Sequence, residues 1–221
     1  MEGRFSVAGI RTKSDLIDKI AAEHAWRKRE ITELKNIIST DSNSDLRKKV
    51  LCRSGFAILY AHWEGFVKVT GSYFLEFVAN QRHSVEELKS SFITVLLKSK
   101  FEAASESNKI KAYDEITEFL LNKRGSRARM RYSGVIDTGS NLSSSTLKDI
   151  TWSLGIDYSH FSPKENLIDL RLVGQRNHIA HGRNLNIDED DFLEMTDEVT
   201  TLMNIFRNLL ENSAMTGEYK N

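Results

Sequence analysis

A chain of 221 residues is long enough for one domain with a real core, and a 40% hydrophobic share supplies that core. Thirty-one basic and thirty-one acidic residues give a formal net charge of zero, which argues against coating nucleic acid by bulk attraction but leaves room for a local basic groove. The 28% charged share, the single proline and the lack of any apolar run of about 20 residues point to a mostly helical chain without a membrane span.

The first residues, MEGRFSVAGIRTK, lack the apolar core of a signal peptide, and residues 1–13 read as a loose arm. Residues 14–38 follow a helical pattern carried by Leu16, Ile20, Ala21, His24, Ile31, Leu34 and Ile38. A polar break over 39–44 offers several helix caps. Residues 46–80 form a long helix that is apolar on more than one side, from Leu51 and Phe56 through Trp63 and Phe66 to Phe74 and Phe77. Such a helix belongs at the centre of a bundle. Gly55, Gly65 and Gly71 cost it helix propensity and leave room for a neighbouring helix to come close. Cys52 lies in this pattern as a buried small residue, with no second cysteine to pair with. Glu64 sits among aromatics, either as a carboxylate at the core edge paired with a base or as support for a functional site. These features place the protein in the cytoplasm.

Ser84-Val85-Glu86-Glu87 is a capping box that starts a helix over 84–100. A polar stretch over 103–108 separates it from a helix over 109–122. The chain then changes character. Lys123, Arg124, Arg127, Arg129 and Arg131 bring five positive charges and no acid, and Tyr132 follows. This run is either a solvated loop or a patch that tracks an RNA backbone, with Tyr132 as a stacking platform. Residues 132–136 form a short extended piece, 137–146 a loop rich in Ser, Thr, Gly and Asn, and 147–154 a short helix. Together, 123–161 reads as an insertion.

The stretch 162–183, SPKENLIDLRLVGQRNHIAHGR, starts with Ser162 as a cap, Pro163 in the first turn and Glu165 completing a capping box, and stops at Gly182. The last helix covers 188–212. Its acidic first turns suit the positive end of the helix dipole, so the cluster needs no metal. Residues 213–221 read as a flexible tail. No ligand spacing suggests a metal, and no cofactor is expected.

Arg176-Asn177-His178-Ile179-Ala180-His181 places an arginine five positions before a histidine at a helix end. A histidine titrates near neutrality and can take or give a proton. The arginine fork matches phosphate oxygens. In a straight helix the two residues lie about 140° apart, so they share a face only if the helix end distorts or a second subunit contributes. The straight pattern instead aligns Arg171, His178 and His181, and Arg171 with His178 is an alternative pair. The competing readings are an inert helix-terminal histidine for His181, an ion pair with Asp169 for Arg176, and a solvated residue for His178.

The RNHIAHG segment resembles the Arg-x4–6-His signature of HEPN domains (higher eukaryotes and prokaryotes nucleotide-binding). The segment Tyr60-Ala61-His62-Trp63-Glu64-Gly65-Phe66-Val67-Lys68 is similar to the long-helix motif of stand-alone prokaryotic HEPN-like nucleases of toxin–antitoxin and defence settings. The resemblance covers about residues 14–212. It implies an all-α antiparallel bundle in one domain, and a homodimer with a composite, metal-independent ribonuclease site. Arg176, His181 and Asn177 would be catalytic, with His178, Arg171 and Glu64 auxiliary. RNA would be the substrate, and an antitoxin or defence assembly the partner. Some HEPN toxins carry a modifiable tyrosine two residues after the histidine; here Arg183 stands there, which disfavours that control. The rival readings are a non-catalytic HEPN module that binds nucleotides or protein, and a helical dimerisation domain.

Overall fold

The computed structural model describes residues 9–40, 44–107 and 109–221. Seven α-helices carry the fold among these residues: α1 Lys13–Thr40, α2 Asp45–Asn80, α3 Ser90–Ser107, α4 Ile110–Asn122, α5 Ser144–Ser153, α6 Gly174–Ala180 and α7 Glu189–Thr216. No strand is present among them, only two isolated bridges, Ser84 with Arg127 and Leu88 with Lys220. The all-α expectation holds.

Helices α1, α2 and α7 pack against one another and build the core. Contacts between Arg27 and Gly65, and between Leu34 and Gly55, run α1 antiparallel to α2. Phe192 lies at Gly55 and Phe206 between Trp63 and Phe66, so α7 runs parallel to α2. The apolar load of α2 explains its place: Phe56, Trp63, Phe66, Phe74 and Phe77 are all fully buried. Two of its glycines are set by close approach. A Cβ at Gly55 would lie 2.8 Å from the Phe192 ring, and one at Gly65 would lie 3.3 Å from the Arg27 guanidinium. The opening at Gly65 admits an arginine that is almost wholly buried, ion-paired to Glu23 and stacked 4.3 Å from the Trp26 ring.

Several boundaries differ from the sequence reading. The arm over 1–8 lies outside the described residues, but Ile10 is buried, and its N–H donates to Glu76 Oε1 at 2.9 Å, so the chain is docked before α1 begins. The Ser84 box closes on Glu87 but starts only a 3-10 turn, Val85–Glu87, because Leu88 is extended. Helix α3 begins after it and continues through 103–107, where Ala104 is buried. Asn108 lies outside the described residues. The tail is ordered by packing. Gly217, at φ 78°, turns the chain so that Tyr219 packs on Phe77 and Phe74, with ring centroids 5.8 and 6.4 Å apart.

The insertion is largely a strap laid along α2. Its start is pinned beyond the C-terminal end of that helix, where Ala128 N–H donates to His83 O at 2.8 Å and Val85 N–H to Ser126 O at 3.0 Å. Ile136 then packs at Gly71, and Leu142, fully buried, donates its backbone N–H to the Tyr60 hydroxyl at 2.7 Å. Residues 132–136 form no strand. Helix α5 follows, capped by Ser143.

Candidate functional site

The 162–183 stretch is a composite helix. A 3-10 turn, Ser162–Lys164, leads into a π-helical stretch, Leu167–Val173, and then into α6. Ser162 is not the cap: it lies inside the 3-10 turn, after Phe161, and no side-chain capping bond forms. The π stretch breaks the regular phase on which the Arg171–His178–His181 alignment depends, and such stretches recur at functional sites. Arg171 points to α7, where Nη1 and Nη2 bind Glu194 at 2.6 and 3.1 Å. Asp169 does not pair with Arg176; it accepts from Ser144 N–H at 2.7 Å and tethers the start of α5.

Arg176 sits where three elements meet. Its Nη1 donates to Asn141 Oδ1 on the strap and to Asn177 Oδ1 on its own helix, both at 2.9 Å. Its guanidinium carbon lies 4.9 Å from the centroid of the Tyr60 ring on α2. The two Nη1 hydrogens are thereby used, and the edge formed by Nη2 and Nε remains, the edge that can grip two phosphate oxygens at once. Burial pushes the Tyr60 phenol above its ordinary pKa, and the neighbouring Glu64 carboxylate adds to this, while the Leu142 N–H and the Arg176 charge oppose. The phenol stays protonated, accepting from Leu142. Glu64, one turn further along α2, stands beside Tyr60.

His181 is the residue that ends α6. Gly182 takes the left-handed conformation, at φ 68°, and its N–H donates to Ile179 O at 3.0 Å. Arg183 N–H reaches back to His178 O at 2.9 Å, which closes a Schellman end. Arg53 on α2 secures this turn by donating to Arg183 O at 2.9 Å. His178 and His181 are both exposed. The structure thus gathers Arg176, Asn177, Asn141, Tyr60 and Glu64, and holds His181 at the open end of the same short helix. No bond joins Arg176 and His181 among the described residues.

The basic run lies elsewhere. Lys123, Arg124, Arg127, Arg129 and Arg131 are exposed, whereas Tyr132 is half-buried against the core. The run is pinned past Asn80, about 20 residues and so about 30 Å along α2 from Tyr60. The strap links it to Arg176 along the chain. Asn141 escaped the sequence reading because it lies in a polar loop with no periodic signal. Tyr60 lay within the long-helix motif, but nothing in the pattern showed which way it faced.

Two of the other histidines, His24 and His62, are packed into the fold. His62 is buried, with Nε2 3.1 Å from Glu30 Oε2 but out of line for a hydrogen bond. His24 packs edge-on against Phe66. Cys52 is buried, and burial raises its thiol pKa, as expected of a packed residue. Among the described residues no three His, Cys, Asp or Glu side chains converge to hold a metal, and no helix is long and apolar enough to cross a membrane.

A family model described as RiboL-PSP-HEPN matches residues 22–212. No curated protein and no solved structure matches the chain.

Proposed function

The chain belongs to the RiboL-PSP-HEPN family, and on that premise we propose that it is a metal-independent endoribonuclease acting as a toxin or antiviral defence effector. HEPN domains are often ribonucleases, and they often bind RNA and dimerise. The observation that carries the reading is the cradle of Arg176: two amide oxygens and one aromatic face hold its guanidinium on the short helix that ends in His181.

In this reading the Nη2–Nε edge of Arg176 binds the scissile phosphate and offsets the charge that builds on it. The ribose 2′-oxygen attacks phosphorus as its proton is removed, the bond to the 5′-oxygen breaks, and that oxygen takes up a proton. The products are a 2′,3′-cyclic phosphate and a 5′-hydroxyl. His181 serves one of these proton transfers and its copy in a second subunit the other, which is why the site is composite. Asn177 steadies Arg176, and the run 123–131 tracks the RNA backbone. Arg171, bound to Glu194, and the exposed His178 are auxiliary.

The exposed, uncontacted position of His181 also favours a second reading, a HEPN module that binds nucleotide or protein without cleaving. Induced expression separates the two. A nuclease arrests growth, and His181→Ala relieves the arrest. Growth unaffected by the wild-type chain, or arrested equally by His181→Ala, speaks for the binding module.

A further inference from the structure

We propose that Asn141 is a positioning residue for Arg176, and that Tyr60 acts one step further back by fixing the strap that carries Asn141; its functional meaning rests on the reading of Arg176 as the phosphate-binding arginine.

A guanidinium has five N–H donors, and an arginine side chain has many rotamers to choose from. Asn177 is the next residue along, so it moves with α6 and cannot aim Arg176 relative to the rest of the fold. Asn141 is 35 positions away and reaches Arg176 from a separate element, at 2.9 Å. That element is fixed immediately after Asn141. The next residue, Leu142, is fully buried and bound through its N–H to Tyr60 at 2.7 Å. Ser143 then caps α5, its hydroxyl accepting from Thr146 N–H at 3.1 Å. Asn141 thus directly precedes a core anchor and a helix start, and Arg176 is tied to them through it.

Chemistry selects which edge is left. With Nη1 engaged twice and one face against the Tyr60 ring, the guanidinium cannot turn to offer Nη1 to a ligand. Tyr60 serves twice, since its ring stacks on Arg176 and its hydroxyl holds the strap. The strap also joins the run 123–131 to this point, so a ligand that shifts the run would bear on Arg176 through Asn141.

The test uses the full chain carrying 15N-arginine, with the Arg176 side-chain signals assigned by their loss in Arg176→Lys. Two fixed acceptors on Nη1 slow rotation of the guanidinium, so the wild type is expected to give resolved Nη signals on cooling. Asn141→Ala is expected to collapse them. Asn141→Asp, which keeps an acceptor oxygen in place and covers the case in which the alanine variant misfolds, is expected to retain them. Arg176 signals that stay resolved in Asn141→Ala overturn the proposal.

RNA cleavage is read in the same proteins. Asn141→Ala should lower kcat about tenfold, the size of one lost bond to a charged group, with KM changed by less than about twofold. In an Arg176→Lys background it should have no further effect, because a residue acting through Arg176 has nothing left to act on. An undiminished loss in that background overturns the proposal. If no preparation cleaves RNA, the ribonuclease reading fails while the spectra still decide whether Asn141 positions Arg176.

Discussion

Replacing Tyr60 with phenylalanine removes one oxygen and keeps the ring that stacks on Arg176. The hydroxyl accepts the Leu142 N–H at 2.7 Å, and Leu142 is fully buried, so the N–H loses its partner inside the fold. An orphaned buried donor costs about 1–3 kcal/mol. For a chain of this size each kcal/mol lowers the melting temperature by about 2–4 °C, so Tyr60→Phe should melt about 2–12 °C lower. Urea unfolding measures the same loss as a shifted midpoint with an unchanged slope. Tyr60→Leu, which removes the ring as well, should lose more than Tyr60→Phe. A Tyr60→Phe chain within about 0.5 kcal/mol of wild type would refute the reasoning, since the strap would then be held by something other than this bond.

Stability should also fall in mild acid. Burial holds His24 and His62 below the ordinary histidine range, with Glu30 only partly offsetting it at His62. The unfolded chain therefore binds more protons than the folded one below about pH 6.5, so the stabilisation is complete above that value and is lost as pH falls through the folded values. Each histidine contributes a slope of up to about 1.4 kcal/mol per pH unit, and His62→Gln should flatten the loss between about pH 7 and pH 5 in urea titrations; an unchanged slope contradicts the assignment. Gly182→Ala should cost about 1–2 kcal/mol, because φ 68° strains any residue with a Cβ although the space there is open. It should also weaken cleavage by loosening His181, both read on one preparation. Arg171→Ala should cost less than about 1 kcal/mol, since its pair with Glu194 is largely exposed, and should leave cleavage within about twofold. Abolished cleavage would instead make Arg171 and His178 the reactive pair.

Periodicity and capping made the core legible. The apolar load of α2, the stripe of α7 and the basic run are local patterns, and local patterns survive in a single sequence. What failed was set at longer range. The Ser84 box formed but yielded only a 3-10 turn, because Leu88 is drawn into a bridge with Lys220 near the chain end. Tyr219 became ordered because Phe74 and Phe77, far away in sequence, offer it a surface. The π stretch was invisible to an analysis that assumes a fixed helical repeat. In the candidate site, Arg176, Asn177 and His181 could be grouped from sequence because they share one short helix. Asn141 could not, because its place beside Arg176 depends on a strap that runs along α2 before reaching it.

The central claim is that Arg176 and His181 cleave RNA without a metal. The most direct measurement is the products formed by purified protein on total RNA and a tRNA pool in EDTA, beside Arg176→Ala and His181→Ala. Cleavage by the wild type alone, leaving 2′,3′-cyclic phosphate and 5′-hydroxyl ends, is the predicted result. Cleavage that persists in both variants, or that vanishes in EDTA and returns with added divalent cation, would contradict it.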